Sequence, residues 1–258
     1  MIRLKSREQI EAIRKAGKII AEIFEDARDW AKPSVSALEL DGWIADYIRK
    51  KGGKSAFKGY RGYPAETCIS INEEVVHGIP SSRKLAEGDI VGVDIGVKID
   101  GYYADGAFTF PVGHTSSKGR RLLEVSRCAL YEGIAQIRSG NRIGDISSAI
   151  QRYAEGHGYS VVRTLFGHGI GEFLHEDPII PNFGQKERGE KLKEGMVLAI
   201  EPMINEGGSE VTVLPNRWTV VTKDASLSAH FEHTVAILDG KVKILTSLLL
   251  DEREYLGG

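Results

Sequence analysis

Apolar and polar positions follow two rhythms along this chain, one helical and one extended, and the switches between them mark its elements. Between residues 6 and 31, Ile10, Ile13, Gly17, Ile20, Phe24, Ala27 and Ala31 recur at steps of three and four, forming one apolar helical stripe. Ser6 with Gln9 supplies a capping box at its start, and Pro33 stops it. Ser36 with Glu39 opens a second helix, with Leu40, Ile44, Tyr47 and Ile48 inward and Gly52-Gly53 past its end. A loop rich in Gly and Tyr, GYRGYP at 59–64, leads to an alternating stretch at 67–71. Residues 90–99 then read as a strand, with Val91, Val93, Ile95, Val97 and Ile99 on one face. Asp94 falls on the other face, between Gly92 and Gly96. Asp100-Gly101 predicts a hairpin turn, and the returning arm brings Asp105 beside Asp94.

After Pro111 the order of elements returns. A helical pattern covers about 117–138, a second runs from about Asp145 to Gly156, and strand-like segments fill the rest. The segments 32–52 and 139–158 share an order of turn, extended link, cap and glycine-terminated helix. An α+β chain of two related halves, about 1–113 and 114–258, packed into the single domain 1–258, is expected, with no linker between them. Sites often lie where such halves meet.

Composition narrows the function. A length of 258 residues, 41% hydrophobic and 27% charged, suits an ordinary globular domain. The 34 basic and 36 acidic residues nearly cancel, which argues against dedicated nucleic-acid binding. Cys68 and Cys128 are too few for a disulfide framework, and neither a signal-like opening nor a bilayer-length apolar run is present. A cytoplasmic protein without membrane contact is expected.

Certain polar residues do not fit a plain core. RTLFGHGIGEFLHEDP places His168 between glycines, which let another chain or an ion approach closely, and His175 seven residues on. MVLAIEPMI, 196–204, reads as a strand apolar on both faces with Glu201 in its middle. In HFEHTVAIL, 230–238, Glu232 shares a face with His230, Thr234 and Ala236. Buried carboxylates need a partner or a metal. The four charges of Asp94, Asp105, Glu201 and Glu232 match two divalent cations, and His168 adds an imidazole. This set suits a two-metal centre that clamps a bridging hydroxide. Oxygen-rich ligation without thiolate points to Mn, Fe, Co, or Zn in a mixed site. His77 and His175 remain to hydrogen-bond a substrate carbonyl or its oxyanion. Metal-assisted hydrolysis follows.

The ordered set VVHGIP, VDIGV, Asp105, GHGIG, FLHEDP, IEPM and SAHFEHTVAI closely resembles the methionine aminopeptidases, type I, of peptidase family M24, from the first helix to about residue 245. The resemblance implies the pita-bread fold and a cut after the initiator methionine of nascent polypeptides with a small second residue. It implies that Asp94, Asp105, His168, Glu201 and Glu232 bind two metals, with Asp105 and Glu232 bridging and Glu201 shuttling protons. His77 and His175 would hold the peptide, and Tyr60, Tyr63, Cys68 and Trp218 would line the methionine pocket. It further implies a monomer in transient contact with the ribosome. Three positions depart from the family pattern: Gly106 where Thr commonly follows the bridging Asp, Leu174 where an aromatic often stands, and Phe57 where a small residue is frequent. The alternatives are an Xaa-Pro dipeptidase or aminopeptidase P on the same fold, and a metal-free binding protein.

Overall fold

The computed structural model describes residues 1–138 and 140–247. The last part of the expected 1–258 domain and Ser139, which opens the segment 139–158, lie outside them. In the first half, helices α1 (Arg7–Trp30) and α2 (Ala37–Lys50) precede strands β1 (Lys54–Ser55), β2 (Cys68–Ile71), β3 (Glu74–Val76), β4 (Ile90–Ile99) and β5 (Tyr102–Pro111). In the second, helices α3 (Ser117–Ile134) and α4 (Ile143–Gly156) precede β6 (Ser160–Val161), β7 (Phe166–Gly169), β8 (Glu176–Pro181), β9 (Val197–Ile200) and β10 (Met203–Asn205). Strands β11 (Val211–Val213), β12 (Val220–Thr222), β13 (Ser228–His230), β14 (Glu232–Leu238) and β15 (Lys241–Ile244) complete the described chain.

Both expected capping boxes form: Ser6 with Gln9 on α1 and Ser36 with Glu39 on α2. The stripe of α1 buries Ile13, Ile20 and Ala27 completely. Helix α3 ends at Ile134, earlier than 138, because the chain tightens into three-residue turns and the Asn141 amide donates to the Gln136 carbonyl at 2.8 Å. Helix α4 starts two residues before Asp145, whose carboxylate accepts the Arg142 backbone N–H at 2.8 Å from inside the first turn.

The large sheet runs β1-β4-β5-β14-β9-β7-β8, all neighbours antiparallel, with β2 also on β4 and β15 also on β14. The β4–β5 hairpin closes at Asp100-Gly101, both at positive φ (51° and 88°), a two-residue turn that matches strand twist. Within this sheet the strands that precede α3 meet those that follow it where β5 pairs with β14. One apolar cluster packs α1 and α2 on one side of this sheet, and a second packs α3 and α4 against the later strands.

Two expected strands prove to be broken. Residues 196–204 split into β9 and β10 around Glu201-Pro202, and 230–238 begins as β13 and resumes as β14 after Phe231. Proline has no N–H to give the ladder, so the pairing yields there. Beyond the break, β10 and β13 pair in a separate three-stranded sheet. The register is nonetheless continuous: His233 opposes Ile200 before it and Met203 opposes His230 after it. Glu201 and Glu232 therefore face each other at the bend.

Candidate metal centre and substrate cavity

Register explains how five side chains distant in sequence meet. Asp94 lies opposite Ala107 and Ala107 opposite Glu232, and the continued register sets Glu232 opposite Glu201, forming one row across three strands and the break after β9. Two residues along, a second row runs from Gly96 through Asp105, Thr234 and Ala199 to His168. Residues two apart on a strand share a face, so both rows point into the same space. Asp94 and Asp105 are diagonal neighbours rather than directly opposed. Side-chain donor atoms of Asp105, His168 and Glu232 lie within 4.8 Å of one another. The glycines around His168 are required by close packing: a Cβ at Gly167 would sit 2.4 Å from the Ala199 carbonyl oxygen, and one at Gly169 would sit 2.1 Å from that of Asp177.

The donor set fits cations. Among the described residues no lysine or arginine pairs with any of the four carboxylates, and buried Asp94 Oδ1 and Glu232 Oε1 have no hydrogen-bond partner. Burial, followed by mutual repulsion, pushes Asp94, Glu201 and Glu232 well above the carboxylate range. Asp105 rises to about 7 through burial, moderated by the N–H of Gly106. Burial lowers His168 to about 4, favouring the neutral imidazole that a metal requires. Its Nδ1 donates to the Gly169 carbonyl at 2.8 Å, which turns the lone pair of Nε2 toward Glu201 Oε1, 3.5 Å away.

The surroundings hold this cluster from behind. The Thr234 hydroxyl accepts the Asp105 N–H at 2.9 Å and donates to the Asp105 carbonyl at 2.7 Å. Thr109 grips the backbone of His230 in the same way, at 3.0 and 2.7 Å. These clasps extend a β5–β14 ladder that is otherwise short. Thr234→Val leaves two buried backbone groups of Asp105 unpaired, at a cost of about 1–3 kcal/mol. The expected result is a Tm drop of about 2–10 °C and a metal affinity about 10–100-fold weaker, read by calorimetry.

All six residues assigned to catalysis outside the metal set or to the pocket adjoin the cluster. A cavity of about 150 Å³ is lined by Tyr60, Tyr63, Cys68, His77, His175 and Trp218 together with the five acidic and imidazole ligand candidates. Tyr63 meets Trp218 edge to face at 5.1 Å, and its hydroxyl reaches the carbonyls of Thr67 and Gly78. Cys68 pairs with Asp94 across β2 and β4, and burial keeps its thiol protonated. His77 is held at φ 58°, a left-handed conformation uncommon for a side-chain-bearing residue, and burial lowers its pKa. His175 Nδ1 lies 2.8 Å from the Tyr60 hydroxyl, and its ring is 4.2 Å from that of His168.

The three departures have structural correlates. Phe57 and Leu174 line the same cavity, so an aromatic enters the wall at 57 while 174 carries an aliphatic side chain. Gly96 makes this possible, since a Cβ there would come within 2.6 Å of the Phe57 ring. Gly106 faces away from the cluster, toward α1, where a Cβ would stand 3.1 Å from Ile20 and 3.4 Å from Phe24.

Two supporting groups carry no role in the sequence pattern. His230 is buried with Nε2 unpartnered, 3.9 Å from Glu201 Oε2; its place two residues before Glu232 was the available signal. Glu176, next to His175, accepts the N–H groups of Glu172 (2.8 Å) and Phe173 (3.1 Å) and pairs with Lys5, both side chains being buried. This fixes the loop that carries His175. Nothing in the sequence joins residues 5 and 176.

A two-row cluster of buried carboxylates and one imidazole, on a sheet packed against paired helices, is a donor set suited to divalent metal ions. Residues 11–239 match the model for metallopeptidase family M24, and the chain belongs to that family. It is 48% identical to methionine aminopeptidase 1 of Bacillus subtilis, over 95% of this chain and 99% of that protein. It is 43% identical to the Escherichia coli methionine aminopeptidase, over 95% and 94%. The solved methionine aminopeptidase of Thermotoga maritima superposes with a TM-score of 0.94 at 45% identity, covering 96% of this chain and all of that one. Within the family, the chain is placed among the bacterial methionine aminopeptidases, and its fold is the pita-bread fold. A prolidase from Pyrococcus furiosus shares that fold alone, with a TM-score of 0.78 at 24% identity.

Proposed function

We propose that this metallopeptidase removes an N-terminal methionine whose side chain fills the cavity, with the scissile carbonyl over the carboxylate cluster. The observation that carries this reading is the continuity of an aromatic, thiol-lined slot with four buried carboxylates. An unbranched thioether suits such a slot. Asp94, Asp105, His168, Glu201 and Glu232 would hold two divalent ions, Co, Mn, Fe or Zn. Such ions, when bound, offset the carboxylate charge, polarise the carbonyl and make water nucleophilic at neutral pH. Glu201 takes a proton from the attacking water at its carboxylate oxygen and returns it to the departing amine. His77 and His175 hydrogen-bond the substrate carbonyl and the oxygen that gains charge. Tyr60 steadies His175 through its hydroxyl.

A small second residue is required because a large side chain there would collide with the site. Substrates are the N-termini of nascent polypeptides, met in transient contact with the ribosome by a cytoplasmic monomer. Among the described residues no helix is long and apolar enough to cross a membrane. The chain is read as one catalytic domain whose halves, 1–113 and 114–258, each open with a helix pair. Release of the N-terminal residue from Met-Ala, Met-Ile and Ala-Pro peptides, after chelation and refilling with single metals, tests the reading. Metal-dependent cleavage of Met-Ala alone is expected. Cleavage of Ala-Pro alone would move the enzyme to the proline-specific branch.

A further inference from the structure

A second depression, of about 790 Å³, opens from the cavity and shares Arg61, His168 and His175 with it. Its wall carries Phe166, Phe173 and Ile179, large apolar side chains left 38%, 54% and 63% exposed. A polypeptide with its first side chain in the cavity would leave the cluster along this groove, since the groove begins at the same two imidazoles.

The charges along it are unequal. Glu176 is neutralised by buried Lys5, Asp177 contacts the Met1 amine, and Arg3 bonds Glu172 at 2.6 Å. Arg61 differs. It is exposed, and among the described residues its guanidinium has no carboxylate partner; it lies 5.4 Å over the Tyr60 ring. Its φ of 51° is left-handed, in the turn that also presents Tyr60 to His175. An unpaired guanidinium at the junction of cavity and groove is a ready partner for a carboxylate, which it can grip with two parallel N–H donors.

We propose that Arg61 is a specificity residue that selects substrates carrying a carboxylate beyond the second residue, either an acidic side chain in the groove or the free terminus of a short peptide. This rests on the methionine reading above and adds a preference to it. The test compares kcat/KM within two matched pairs: Met-Ala-Asp against Met-Ala-Asn, both as C-terminal amides, and Met-Ala-Ala as free acid against its amide. The unmodified enzyme should favour the carboxylate member by about two- to five-fold, the range of an exposed ion pair. Arg61→Gln should bring both ratios to about one, and Arg61→Glu should invert them, an electrostatic signature that loss of folding alone does not produce. Equal rates within both pairs for the unmodified enzyme, or ratios unmoved by either substitution, would overturn the proposal. Failure to release methionine from any of the peptides would instead contradict the methionine reading.

Discussion

Glu201→Gln is expected to lower kcat on a Met-Ala peptide by about 10²–10⁴-fold, the usual worth of a positioned general acid–base. The substitution keeps the shape of the side chain and removes its capacity to take a proton. The backbone around it should stay in place, because the Asn182 amide holds the Glu201 carbonyl at 3.1 Å from outside the cluster. The loss of one of four negative charges should also weaken metal binding, so the metal titration and kcat are read together at saturating metal. A variant that keeps more than a tenth of kcat when fully loaded would remove Glu201 from the proton-transfer role.

Metal removal has the second large effect, and its size depends on pH. Asp105 sits at about 7 in the cluster without cations, against an ordinary aspartate near 4, and its three carboxylate neighbours are shifted the same way. A folded-state pKa raised in this manner supplies stability below the unfolded value that disappears as pH climbs through about 7. The chelated protein therefore loses stability between pH 4 and 7 from this cluster. The loaded protein does not, because bound cations favour the ionised forms and metal affinity itself rises as protons leave. At pH 7.5, metal at about 100–1,000 times its Kd should add about 3–4 kcal/mol, a Tm gap of about 5–15 °C for a chain of this size. The gap should narrow steadily toward pH 5. Scanning calorimetry on chelated and refilled samples reads it directly, and a gap independent of pH would mean that the cluster does not bind protons in place of metal.

Much of the site was legible because β-strands alternate. Asp94 between glycines, and Glu201 and Glu232 in apolar runs, stood out as carboxylates that a sheet does not bury without cause. The capping boxes at Ser6 and Ser36 gave helix starts for equally local reasons. Register across strands was not legible. Nothing local says that Asp105 faces Thr234 or that Glu201 faces Glu232, since each pairing is settled by the packing of the whole sheet. The break at Glu201-Pro202 shows the limit most plainly. An apolar run looked like one strand, although its proline already forbade an unbroken ladder. The support given by Lys5 to the His175 loop, and by Thr234 to Asp105, depends on contacts across 171 and 129 residues of chain and carries no sequence signature.

Anomalous diffraction from crystals grown with manganese or cobalt tests the two-row site most directly. Two peaks are expected between the rows, one on each side of the Asp105 and Glu232 carboxylates, with Asp94, His168 and Glu201 completing their ligands. A single peak at saturating metal, or metal bound away from these five side chains, would contradict it.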